Sequence, residues 1–159
     1  MADHKPSRLL VGLGSHHGDD QVGWRLVEEL GNLTEVPIRQ AAVPADLLHW
    51  LTGIDELYVC DACQGSGQPG KLHRWEYQSS QQALDDILPG VETLRSVNTH
   101  QLGLAATLSL ARGLHILPRQ IVVWGIEGKR FEAGLPISAE LAELLPGIIR
   151  QLANELDHA

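Results

Sequence analysis

Two adjacent carboxylates, Asp19 and Asp20, follow an apolar run and a glycine-bearing turn. A third, Asp61, ends the apolar run 56–60, and His100 stands at the head of a stretch rich in small residues. Each position falls where the pattern places the carboxyl end of a strand or the start of a helix, so residues distant in the chain can converge. A carboxylate ending an apolar central strand cannot be solvated along that strand, and it is commonly placed there to bind something at the mouth of the sheet. In the first turn of a helix His100 would feel the positive end of the macrodipole, which favours the neutral imidazole a metal requires. Two carboxylates and an imidazole suit a divalent transition ion with open coordination positions, and do not suit a closed structural zinc site. Plainer readings stay open: Asp20 also fits the first turn of any helix, and Asp61 could cap a turn with Gly65 and Gly67. His16 and His17 read as exposed loop residues and stand as reserve ligands by their nearness to Asp20.

Other chemistries fit less well. From Gly12 the chain reads G-L-G-S-H-H, which puts His17 where a dinucleotide fingerprint needs its third glycine, and the Walker spacing is absent. Asp19 and Asp20 would also repel an anion at the helix N-terminus that has to receive it. Cys60 and Cys63 have redox-motif spacing, but Cys60 belongs to an apolar strand and not to a helix N-terminus, so both read as small buried hydrophobes flanking Asp61. No G-x-S-x-G occurs, and no Ser or Cys has an evident base partner, so a hydrolase on this chain would use metal-assisted water attack and no acyl-enzyme.

The elements that must position these residues are legible as alternating strands and helices. Residues 8–12 read as a buried strand, and residues 20–30 as a helix with Val22, Leu26, Val27 and Leu30 on one face. A second strand is expected over 36–43, a short helix over 45–51, and a central strand over 56–60 finishing at Asp61. Residues 71–77 alternate as a half-exposed edge strand, with an antiparallel direction allowed. Helices are expected over 80–88, ended by Pro89-Gly90, and over 98–110, capped by Asn98 or Thr99. The last strand spans 120–126, and Ser138 is expected to cap an amphipathic helix reaching about residue 156, with Glu140 favourably placed for the dipole. The pattern predicts an α/β three-layer sandwich: a mostly parallel, twisted sheet of about five strands flanked by helices. Ligands of such sheets sit beyond the carboxyl ends of the strands.

A chain of 159 residues, 43% hydrophobic, suits one domain, residues 1–159, without repeat or linker. Its formal net charge of −8 disfavours nucleic acid and anionic membrane as partners. No apolar leader precedes the first strand, and no run approaches the ~18 residues of a membrane span, so a cytoplasmic location is expected.

Taken together, the motifs resemble the hydrogenase maturation endopeptidases, over nearly the whole chain. Their opening strand and G-x-G-N turn is matched by Gly12-Leu13-Gly14-Ser15, and their paired-acid turn by Asp19-Asp20-Gln21-Val22-Gly23. Their apolar strand ending in D-A is Tyr58-Val59-Cys60-Asp61-Ala62, followed by Pro69-Gly70. Their S-x-H-Q-x-x-L segment is matched by Asn98-Thr99-His100-Gln101-Leu102-Gly103-Leu104. Residues 122–127 and Gly134-Leu135 match the ending.

The resemblance implies a peptidase that removes the C-terminal extension of a nickel-iron hydrogenase large-subunit precursor after nickel insertion. It implies that Asp20, Asp61 and His100 recognise nickel, and that the precursor brings the nickel. Whether Asp20 also serves as general base is open. Two positions depart from the family: its turn Asn is Ser15, and its glycine-rich D-G-G-T segment is Gln40-Ala41-Ala42-Val43-Pro44. The second departure keeps an alternative in view, a nickel-binding maturation chaperone or sensor on the same fold without peptidase activity.

Overall fold

Alternating side chains of the apolar runs face opposite ways, so strands covered on both sides must be apolar at every position. That pattern is realised in a computed structural model, which describes residues 5–94 and 102–158. Strands β1 (Arg8–Leu13), β2 (Ile38–Ala41), β3 (Glu56–Cys63), β4 (Leu72–Gln78) and β5 (Gln120–Glu127) form one sheet in the order β2-β1-β3-β5-β4. The first four strands in that order are parallel, and β4 lies antiparallel to β5 at the edge. Helices α1 (Val22–Gly31) and α4 (Ala139–Asp157) cover one face, closing over Leu10, Tyr58, Cys60, Val122 and Trp124. The short α2 (Leu88–Val91), α3 (Leu104–Gly113) and a 3-10 segment Pro44–His49 cover the other, over Leu9, Val11, Val59, Ile121 and Val123. The expected three-layer α/β sandwich is therefore present.

From β1 the chain goes outward to β2 and then returns to β3 on the far side of β1. Strand order thus reverses between β1 and β3, which is where open α/β sheets hold their ligands. Gly12 and Cys60 are register partners at this point, and Asp61 pairs with Gly125 one step further on.

Several boundaries differ from the sequence reading. β3 does not finish at Asp61 but runs on to Cys63, because β5 supplies ladder partners as far as Glu127. The helix expected over 80–88 is replaced by a 3-10 turn Leu84–Asp86 and by α2, which Pro89 opens instead of ending. Proline lacks the N–H that a first helical turn leaves unused, so that place suits it. α3 starts at Leu104 with Gly103 as its N-cap, not at Asn98 or Thr99. Residues 95–101, His100 among them, lie outside the described residues. No helix among the described residues is long and apolar enough to cross a membrane.

Candidate functional site

The β1–α1 connection brings Asp20 to the switch point. After Leu13 the chain makes a turn in which Gly18 takes a φ of +56°, and residues Gly18–Gln21 wind as a 3-10 helix leading into α1. Asp20 is 3% exposed, and its carboxylate accepts a hydrogen bond from the Ser15 hydroxyl at 2.7 Å. Ser15 also donates its N–H to the Asp20 carbonyl, at 3.3 Å. The residue that departs from the family's Asn thus orients the acid that comes five residues after it.

Asp61 is 6% exposed, and its Oδ1 accepts the N–H of Ala62 at 2.8 Å. It does not cap a turn with Gly65 and Gly67. Burial, and next the charge of Asp20, push its carboxyl well above the ordinary carboxylate range, with the Ala62 bond opposing them. Asp20 and Asp61 therefore feel each other electrostatically at one mouth of the sheet. A buried acid pair of this kind is destabilised by its own charge and is relieved by a cation or a proton.

His100 lies outside the described residues, so Asp20 and Asp61 are the two members of the expected trio that the structure brings together. Among the described residues no group of three or more His, Cys, Asp and Glu is arranged to hold a metal ion. His16 is exposed and packs edge-on against Trp24, with ring centroids 5.0 Å apart, while His17 is half-buried.

Cys60 and Cys63 are both free and buried. Burial, and then the Asp61 charge, push the Cys60 thiol up; burial, then Glu127 and Asp61, push Cys63 up to about 12. Both remain thiols at neutral pH, and a thiol is a poor nucleophile.

Two buried carboxylates around the site escaped the sequence reading of roles. Glu127, ending β5 and 1% exposed in its side chain, gathers the loop that follows β3. It accepts hydrogen bonds from the N–H and hydroxyl of Ser66, the N–H of Gly67 at 2.8 Å and His73 Nε2 at 3.1 Å. Burial alone would raise its carboxyl; the bonds from Ser66, His73 and Gly67 outweigh it and hold it at about 2. The second, Asp19, is fully buried and bonded to residues 129–138.

Because folding lowers the Glu127 carboxyl below its ordinary 4.5, its contribution is complete above that value and is lost as pH falls toward about 2. Glu127→Gln is expected to cost about 2 kcal/mol at pH 7, the scale of hydrogen bonds to a charged acceptor. The gap between variant and parent should narrow below pH 4.5, a trend that urea titrations at pH 7 and pH 3.5 would resolve. A gap that stays constant with pH would contradict it.

A cleft of about 480 Å³ opens between this loop and the start of α4, lined by Gly65, Gly67, Pro69, Glu127, Gly128 and Lys129. It shares Gly128 and Lys129 with the segment that Asp19 binds.

The model of the hydrogenase maturation protease family matches residues 38–155, a stretch that contains Asp61 and His100 and begins after the Asp20 turn. The chain belongs to the hydrogenase maturation protease family. Solved structures of similar fold cover a larger share of the chain. One is the hydrogenase maturating endopeptidase HybD from E. coli, with a TM-score of 0.74 at 23% identity, covering 95% of this chain and 92% of that one. Another is the NiFe hydrogenase maturation protease HybD from Thermococcus kodakarensis, with a TM-score of 0.71 at 20% identity, covering 94% and 97%. The hydrogenase 2 maturation peptidase from a Thaumarchaeota archaeon gives 0.65 at 22% identity, covering 96% and 98%. No curated protein matches the chain. Family and fold together are those of maturation endopeptidases.

Proposed function

We propose that this chain removes the C-terminal extension of a nickel-iron hydrogenase large-subunit precursor once nickel has been inserted, and that Asp20, Asp61 and His100 recognise that nickel. The observation that carries the reading is the pair of buried acids at the strand-order switch, where burial, and next the charge of Asp20, raise the carboxyl of Asp61 and Ser15 orients Asp20. Such a pair offers hard oxygen donors in a poorly solvated setting, and an imidazole completes a set suited to a divalent transition ion.

The ion belongs to the substrate. Recognition of a loaded precursor and rejection of an empty one would then follow from whether the repulsion between the two acids is relieved. Once there, the nickel could polarise the scissile carbonyl or a water, the service metal ions supply in hydrolysis. The protonated, buried state of Cys60 and Cys63 supports a reaction without a thiolate nucleophile.

The test is incubation of nickel-loaded precursor with the parent protein and with His100→Ala, followed by mass spectrometry. Loss of the C-terminal peptide with the parent, and at least a hundredfold slower loss with the variant, is the expected result. Nickel-dependent complex formation without cleavage would favour the chaperone reading. Equal cleavage by the two proteins would remove His100 from the site.

A further inference from the structure

We propose that Asp19 is a positioning residue for this site: its carboxylate clamps the β5–α4 connection to the β1–α1 turn and so holds Asp20 beside Asp61. The inference rests on the reading of Asp20 as a nickel-recognising acid. Asp19 is 0% exposed, and each of the four hydrogen bonds its carboxylate accepts comes from the connection after β5. Oδ2 accepts from Lys129 N at 2.6 Å, Arg130 N at 3.1 Å and the Ser138 hydroxyl at 2.8 Å, and Oδ1 accepts from Ser138 N at 2.7 Å. Every partner is a donor, so an acceptor-only carboxylate fits where an amide would turn an N–H toward another N–H.

Bonds of the opposite polarity complete the clamp. Gly18 N donates to the Leu135 carbonyl at 3.1 Å, and Asp19 N donates to the Arg130 carbonyl. The Gln21 side chain spans the Gly18 and Leu135 carbonyls at 3.0 and 2.9 Å. Turn and connection also touch so closely that neither tolerates a side chain at its glycine. A Cβ on Gly128 would stand 2.6 Å from the Asp19 Cβ, and one on Gly18 would overlap the Arg130 carbonyl.

The clamp has a price visible at α4. Ser138, expected to cap that helix with its hydroxyl, makes no side-chain cap bond and gives the hydroxyl to Asp19 instead. A good N-cap contributes about 1 kcal/mol to a helix, so its diversion puts the ordering of the turn ahead of the ordering of α4. Asp20 is the next residue in that turn, and any shift of Asp19 moves its backbone directly. Groups that orient metal ligands in this way commonly change metal affinity about 10- to 100-fold when removed.

The experiment compares the parent, Asp19→Asn and, as a control for lost stability alone, Leu152→Ala in the far half of α4. Binding of nickel ion is followed by calorimetry at a temperature where circular dichroism shows all three folded. Amide hydrogen exchange is read at Lys129, Arg130, Ser138 and Asp20. We expect Asp19→Asn to bind nickel at least about tenfold more weakly with faster exchange at these four amides, while Leu152→Ala retains parent affinity. Nickel affinity of Asp19→Asn within twofold of the parent would overturn the proposal, as would an equal loss of affinity in Leu152→Ala.

If the parent binds no free nickel ion, as a site served by precursor-borne nickel allows, the clamp is judged by exchange together with precursor cleavage. Faster exchange with slowed cleavage then supports it, and unchanged exchange or cleavage overturns it. Should Asp19→Asn not fold, Ser138→Ala removes one donor and is expected to weaken nickel about fivefold; parent affinity in that variant would overturn the proposal.

Discussion

Asp61→Asn is expected to process the precursor about a thousandfold more slowly than the parent and yet to melt at a higher temperature at pH 7. The two effects have one origin. Burial, and then the charge of Asp20, raise the Asp61 carboxyl far above its ordinary range, so the folded chain holds that proton more tightly than the unfolded one. Below the ordinary carboxylate range both states carry the proton, and the residue costs nothing. As pH rises the unfolded chain releases its proton first, and stability falls until the folded carboxyl also ionises. At neutral pH the acid is therefore a burden on the fold, sustained for its use. Asparagine keeps an oxygen for the Ala62 N–H, which Asp61 Oδ1 accepts at 2.8 Å, while removing the charge that a divalent ion needs. Melting curves of both proteins at pH 7 and pH 4 should show the gain at pH 7 and its shrinkage toward acid, with cleavage followed by mass spectrometry. A variant that melts lower at pH 7, or that cleaves at the parent rate, would refute the account.

What the sequence makes legible follows from which forces are local. The apolar run 56–60 and the alternation over 71–77 report burial on two faces and on one, and they became the central β3 and the antiparallel edge strand β4. The helical spacing of Val22, Leu26, Val27 and Leu30 reports a single buried face, and all four are buried on α1. Asp20 and Asp61 could be placed at the sheet mouth because strand ends are the fixed points of such folds. Cys60 and Cys63 could be set aside as buried thiols for the same reason.

The remainder depends on partners distant in the chain. Nothing near Asp19 in sequence announces that its partners lie at 129–138, and Glu127 reads as an ordinary strand end until the loop around Ser66 folds over it. Ser138 misled because capping is a local rule, and a tertiary acceptor outbid the helix for its hydroxyl. Pro89 misled because proline both ends and begins helices, and only the packing of α2 against its neighbours decides between them.

Gly23→Ala is expected to lower stability by about 4 kcal/mol, at the upper end for overpacking, and the melting temperature by roughly 10 °C in a chain of this size. α1 approaches the sheet at the crossing of Gly12 and Gly23. A Cβ on Gly23 would overlap the Leu13 carbonyl and come within 2.7 Å of the Cys60 carbonyl, both of them backbone. A side chain can rotate away from such a clash, but the backbone carbonyls of two packed strands cannot. The helix itself must lift, and with it would go the burial of Val22, Leu26, Val27 and Leu30. The same lift would carry the 3-10 turn that ends at Gln21 away from β3, separating Asp20 from Asp61. Loss of precursor cleavage should therefore exceed what the unfolded fraction explains, a comparison that assays well below the melting temperature of the variant make directly. Gly53→Ala is the matched contrast. An added Cβ there meets nothing within 4 Å, so its cost is limited to the positive φ of +81° and should leave cleavage intact. Equal damage from the two substitutions would mean that close approach of α1 to the sheet is not what fixes the site.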